Sequence, residues 1–167
     1  SNWPTRMYTP QLVVDGAIEV LGNDPLAVRR SIRVASLAKK AALTLVSKLR
    51  DGRHIDIEVE IVGIPANTGP KFELLGAVIE DDISTNVTRG ENKGRVLSHV
   101  AVVRKLESLG QFSSREPGPV TISGSLRVER DWKIGNIRTV VFVQDRESRR
   151  IVGAAVALPA REPVTAD

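Results

Sequence analysis

Ile55-Asp56-Ile57-Glu58-Val59-Glu60-Ile61 is the stretch on which the fold turns. Four β-branched residues fall at every second position with an acid between each pair. That period places the apolar set on one face of a strand and the carboxylates on the other, in water. Just before it, Asp51-Gly52 separates the strand from Ala42-Leu43-Thr44-Leu45-Val46-Ser47-Lys48-Leu49, which also alternates. An Asp-Gly pair between apolar runs is a hairpin signal, because the tightest hairpin turn needs positive φ at both central residues.

Beyond this hairpin, the loop Gly63–Pro70 is followed by runs that predict strands at 72–80, 96–106, 119–128, 137–145 and 150–157. Val96, Ser98, Val100, Val102 and Leu106 would line one face of the second of these. Residues 96–109 also fit a helical period through Leu97, Val100, Ala101 and Arg104, but their β-branched density favours strand. About seven strands with short turns and no helix between them predict an antiparallel β-sandwich over residues 41–160. The end of the chain, 161–167, is expected to be a flexible tail, with fraying from Leu158 onward.

Upstream, Asp15-Gly16 lies between Leu12-Val13-Val14 and Ala17-Ile18-Glu19-Val20-Leu21 and predicts a second hairpin. Asn23 or Asp24 is placed to cap a helix that has Pro25 in its first turn. The helix is expected from Leu26 to Lys40. Its apolar stripe would be Val28, Ile32 and Ala35, running on to Lys39 and widened by Val34 and Ala38. Arg29, Arg30, Arg33, Lys39 and Lys40 would form a solvated face. The fold class is therefore α+β and mostly β.

Composition narrows the chemistry. The 167 residues are 41% hydrophobic and 26% charged, which predicts a buried core, and the net charge is +4. No basic stripe interleaved with aromatics is present, so no nucleic-acid partner is expected. No apolar run is long enough to span a bilayer as a helix. The chain has no cysteine. Disulfides, thiolate metal sites and thiol catalysis within it are thereby excluded.

Several groups of residues are candidate sites. Arg89, Glu91, Asn92, Lys93 and Arg95 form the most chemically loaded loop. Gly90 and Gly94 allow positive φ there, so the cations and a nest of backbone N–H groups would hold an anion or another ligand. The bland alternative is a hairpin connection with solvated charges. Trp132, in the polar segment Arg130–Asn136, would stack on a sugar or anchor a partner if exposed, and would close the end of the core if buried. Trp3 is expected to cover the first hairpin. Glu80-Asp81-Asp82 is not a metal set, since consecutive strand residues point to opposite faces. His54 and His99 have no ligand-spaced or triad partners. Asn86-Val87-Thr88 matches a glycosylation acceptor but reads as a surface strand end. No catalytic residue, metal or cofactor is assigned, and whether the chain is an enzyme stays open.

Tyr8-Thr9-Pro10-Gln11-Leu12-Val13-Val14-Asp15-Gly16 resembles a segment of a bacterial family of exported thioredoxin-like proteins of uncharacterised function. Arg89-Gly90-Glu91-Asn92-Lys93-Gly94-Arg95-Val96-Leu97-Ser98-His99-Val100-Ala101-Val102-Val103-Arg104 resembles a second signature of that family, in the same order. The resemblance implies that Thr9, Pro10 and Gln11 form the cis-proline loop of a partial thioredoxin-like unit over residues 1–40. A Cys-containing βαβ half would precede it, and the location would be periplasmic or secreted. Without cysteine, thiol–disulfide exchange is lost to this chain. A non-catalytic C-terminal portion of a cell-envelope protein follows as the leading expectation, with a β-sandwich module for an anionic, saccharide or protein ligand as the alternative. A two-stranded hairpin and one helix cannot bury their own apolar faces. Homodimerisation or docking onto another protein chain through residues 8–40 is therefore expected.

Overall fold

The computed structural model describes residues 9–115 and 118–161, so Trp3, Tyr8 and the stretch 162–167 lie outside the described residues. The strands are β1 (Gln11–Val14), β2 (Ile18–Leu21), β3 (Ala42–Arg50), β4 (His54–Val62), β5 (Lys71–Glu80), β6 (Ile83–Asn86), β7 (Val96–His99), β8 (Val102–Ser113), β9 (Val120–Arg127), β10 (Ile137–Asp145), β11 (Ile151–Ala157) and β12 (Ala160–Arg161). Among the described residues one α-helix, α1 (Pro25–Ser36), follows β2, and one 3-10 turn (Ile134–Asn136) precedes β10. The chain is α+β and mostly β.

Two four-stranded sheets form the body, in the orders β11-β10-β5-β8 and β12-β3-β4-β9. The alternation in β4 is realised: Ile55, Ile57, Val59 and Ile61 are buried. They share one core with Phe72, Leu74 and Val78 of β5 and with Val141 and Val143 of β10, so the inner faces of both sheets fill the same interior. Leu109 of β8 reaches across it. A side chain at Gly76 of β5 would come within 2.8 Å of its Cδ1, and one at Gly124 of β9 within 3.0 Å of its Cδ2. Both Asp-Gly hairpins form, with positive φ at Asp15, Gly16, Asp51 and Gly52.

Asp24 caps α1 by accepting from the N–H groups of Leu26 (3.1 Å) and Ala27 (3.0 Å). The helix ends four residues before the expected Lys40. Lys40 is pulled to the body instead, where its Nζ donates to Asp15 Oδ2 at 2.6 Å and to the Ile151 carbonyl at 2.9 Å. Ala41 N–H then bonds the Val152 carbonyl at 2.7 Å. The inner face of α1 is Ala27, Val28, Ser31 and Ala35. Of the stripe expected from the sequence only Ala35 is buried, and Ile32 and Val34 face outward.

Residues 96–106 are not one strand. The ribbon β6–β7 leaves the sheet between the neighbouring strands β5 and β8, which bend at Asp82 (φ 56°) and Ala101 (φ 55°). Asp81 staples the bend by accepting from Ala101 N–H at 2.8 Å and from Arg138 Nη2 at 2.8 Å. The face expected to be buried is exposed at Val96, Val100 and Leu106, because the strand break turns it to solvent. The chain does not simply fray beyond Leu158, since Ala160 and Arg161 pair in parallel with Lys48 and Leu49.

Candidate functional site

The Thr9–Pro10 peptide is cis, and Thr9 and Pro10 are exposed at the entry to β1. The Pro10 carbonyl accepts from Gly22 N–H at 2.8 Å, which closes the hairpin at its open end. Gln11 Nε2 reaches Glu19 Oε2 across β1 and β2 at 3.4 Å.

Arg89, Glu91, Asn92, Lys93 and Arg95 stand at the tip of the β6–β7 ribbon, exposed, with no side-chain partner among the described residues. The N–H groups of Lys93, Gly94 and Arg95 are taken by the carbonyls of Gly90, Val87 and Asn92. That part of the loop therefore offers no nest of free donors.

Trp132 is buried at 9% exposure, and the Arg104 guanidinium covers its ring at 5.2 Å. It closes one end of the core and is not an open stacking platform. The same corner holds Glu80, whose Oε1 accepts from Lys133 N–H at 3.0 Å and whose Oε2 faces Arg104 Nε at 3.5 Å. Arg104 also pairs with Asp131 at 3.1 Å. Glu80, Asp81 and Asp82 do not converge: Glu80 points inward, and Asp81 is held by Arg138. The Arg138 hydrogen bond, followed by the Ala101 N–H, holds the Asp81 carboxyl below the usual carboxylate range. Among the described residues no group of His, Asp and Glu has a metal-holding arrangement. His54 lies 3.0 Å from Asp51 Oδ2 at the β3–β4 turn, and this contact, its largest influence, lowers the Asp51 pKa.

Two further surfaces bear on function, the first already expected from the sequence as a docking region over residues 8–40 and the second not. One is the exposed part of the hairpin–helix unit, where Leu26 and Leu37 are each 81% exposed and Ile32 and Val34, on opposite flanks of α1, more than half exposed, with Arg29, Arg30 and Arg33 among them. Its signal was present in the sequence, as more apolar positions on α1 than one inward face needs. The other is a cleft of about 360 Å³ between the α1–β3 connection (Ala38, Lys39, Lys40), the β4–β5 loop (Pro65 to Thr68) and the start of β11 (Arg150, Ile151, Val152). Three segments distant in sequence build it, and no local motif announces it.

Comparison with solved structures shows the fold. HBP35 of Porphyromonas gingivalis superposes with a TM-score of 0.61 at 12% identity, over 87% of this chain and 50% of that one. This chain thus spans half the length of that protein. A domain of the outer membrane lipoprotein Omp28 from Porphyromonas gingivalis superposes with a TM-score of 0.50 at 16% identity, over 75% of this chain and 92% of the domain. No curated protein matches the sequence. A family model described as "Protein of unknown function (DUF1223)" matches residues 3–144, and on that match the chain belongs to the DUF1223 family.

Proposed function

We propose that this chain is a non-catalytic portion of a cell-envelope protein, in which a β-sandwich body carries a partial thioredoxin-like unit that docks on a second polypeptide. The observation that carries this is the number of large apolar side chains left open on the hairpin–helix unit. Leu26, Ile32 and Val34 of α1, Leu37 at its C-cap, and Val13 and Leu21 of the two-stranded sheet are all exposed, with Arg29, Arg30 and Arg33 interspersed on the helix. Apolar side chains left open on a unit too small to bury them suit an interaction surface, and a two-stranded sheet gains by pairing its edge with another chain. The envelope location is supported by the resemblance of the Thr9–Gly16 and Arg89–Arg104 segments to exported proteins. The absence of cysteine supports a binding role over redox exchange.

In the isolated chain the occupant of this face is a second copy. Sedimentation over a hundredfold concentration range is expected to show dimer formation, with Ile32→Glu combined with Leu37→Glu restoring the monomer. Strictly monomeric behaviour of the parent chain, with residues 26–37 strongly protected from hydrogen exchange, overturns the proposal.

A further inference from the structure

The cleft between the hairpin–helix unit and the body carries an inference independent of the docking face. Its lining contains Lys39, Lys40 and Arg150 and no acidic residue. Lys40 is committed to Asp15 and to the Ile151 carbonyl, and it thereby neutralises the carboxylate nearest to it. Lys39 and Arg150 have no side-chain partner among the described residues, and neither does the amide of Asn67. Two cations and an amide donor therefore border one concavity with nothing to answer them. A concave site with one sign of charge concentrates ions of the other sign.

The cleft is also preformed. Ile151 N–H donates to the Asp15 carbonyl at 2.8 Å, tying the first hairpin to the start of β11. The Thr68 hydroxyl donates to the Pro65 carbonyl at 2.6 Å and fixes the opposite wall. Gly69 N–H donates to Asp145 Oδ2 at 2.7 Å and holds that wall to the β10–β11 turn. Two of the C-terminal carbonyls of α1, which would repel an anion, are engaged: Leu37 N–H bonds the Val34 carbonyl, and Ala38 N–H bonds that of Ala35. Ala38, Pro65, Ala66, Ile151 and Val152 supply an apolar floor. The volume falls in the range of small-molecule sites, which favour junctions between structural units and combine apolar walls with a few polar groups.

We infer that this cleft binds a small molecule that carries one anionic oxygen group, a carboxylate or a phosphate, on a short apolar body. Lys39 and Arg150 hold the charged head, Asn67 donates to one of its oxygens, and the apolar body lies against Ile151 and Val152.

The test titrates the chain with hexanoate, hexyl phosphate, inorganic phosphate and the neutral hexanamide, followed by calorimetry and by amide chemical shifts. Saturable binding of hexanoate or hexyl phosphate is expected, with shifts at residues 38–40, 66–68 and 150–152. Hexanamide and inorganic phosphate should bind at least about tenfold more weakly, since each lacks one half of the recognised chemistry. The preferred acid identifies which anionic head the site takes. Lys39→Gln with Arg150→Gln should lower affinity by at least about tenfold without changing the unfolding midpoint, because neither side chain holds another group. Lys39→Arg should retain binding. No saturable binding of either amphiphilic anion overturns the inference, as does binding that survives the double substitution.

Discussion

The hydroxyls of Ser47 and Thr139 meet at 2.8 Å inside the body, one from β3 and the other from β10, in different sheets. Both residues are buried, Thr139 completely. Each hydroxyl is satisfied by the other in a region with no competing water, so removing one leaves the second desolvated and unpaired. Thr139→Val should cost about 1–3 kcal/mol of stability, whereas Ser47→Ala with Thr139→Val should cost less than the single change at Thr139. Urea denaturation of the two variants beside the parent chain measures this.

Glu80 presents a similar asymmetry with a charge at stake. Its carboxylate is almost fully buried, and Arg104 both faces it and covers Trp132. Arg104→Met keeps some of the cover over the ring but leaves the buried carboxylate without a counter-charge. A loss of about 3 kcal/mol is expected. Replacing both groups, Glu80→Gln with Arg104→Met, should recover a large part of it.

Asp145 makes the stability depend on pH. Burial pushes its carboxyl up, but hydrogen bonds from the N–H groups of Gly69, Ser148 and Glu147 outweigh this and leave it below the ordinary value. A carboxyl lowered by folding contributes stability above the ordinary carboxylate pKa of about 4, and that contribution is lost as pH falls through the folded value. The urea midpoint should therefore drop between about pH 5 and about pH 2, and Asp145→Asn should flatten that drop. Asp51, Asp56 and Asp81 are lowered too, so part of the slope remains.

Gly16 joins the first hairpin to the body. Its φ is +64°, and a Cβ there would collide with the Arg149 carbonyl oxygen of the β10–β11 turn. Gly16→Ala should cost about 1–2 kcal/mol from the conformation alone, with the collision added to it. Because the strain falls at the junction, hydrogen exchange should rise across Gln11–Ser36 while β4 and β5 keep their protection.

The parts of the fold legible in the sequence are those decided by short-range chemistry. Ile55 to Ile61 declared its face by alternation, Asp15-Gly16 and Asp51-Gly52 declared their turns, and Asp24-Pro25 declared the helix start. What escaped depends on residues far away in the chain. Lys40 leaves the helical path because Asp15 and Ile151 hold it. The expected strand at 96–106 breaks at Ala101, which carries no turn signal and reaches positive φ where Asp81 captures its N–H. That Trp132 closes the end of the core was open to sequence reasoning, but its cover was not, because Arg104 lies 28 positions upstream. The loop at 89–95 carried the densest charge but stands in open solvent, whereas Lys39 and Arg150 face a concavity that exists only after folding.

The place where the β6–β7 ribbon departs has a consequence for how far its length is tied to the rest of the fold. It leaves and rejoins at adjacent strands and takes no part in the shared interior. Residue pairs added to or deleted from its two arms lengthen or shorten a protruding finger without altering any spacing between the sheets. A residue pair inserted in step into both arms should therefore leave the unfolding midpoint of the body nearly unchanged.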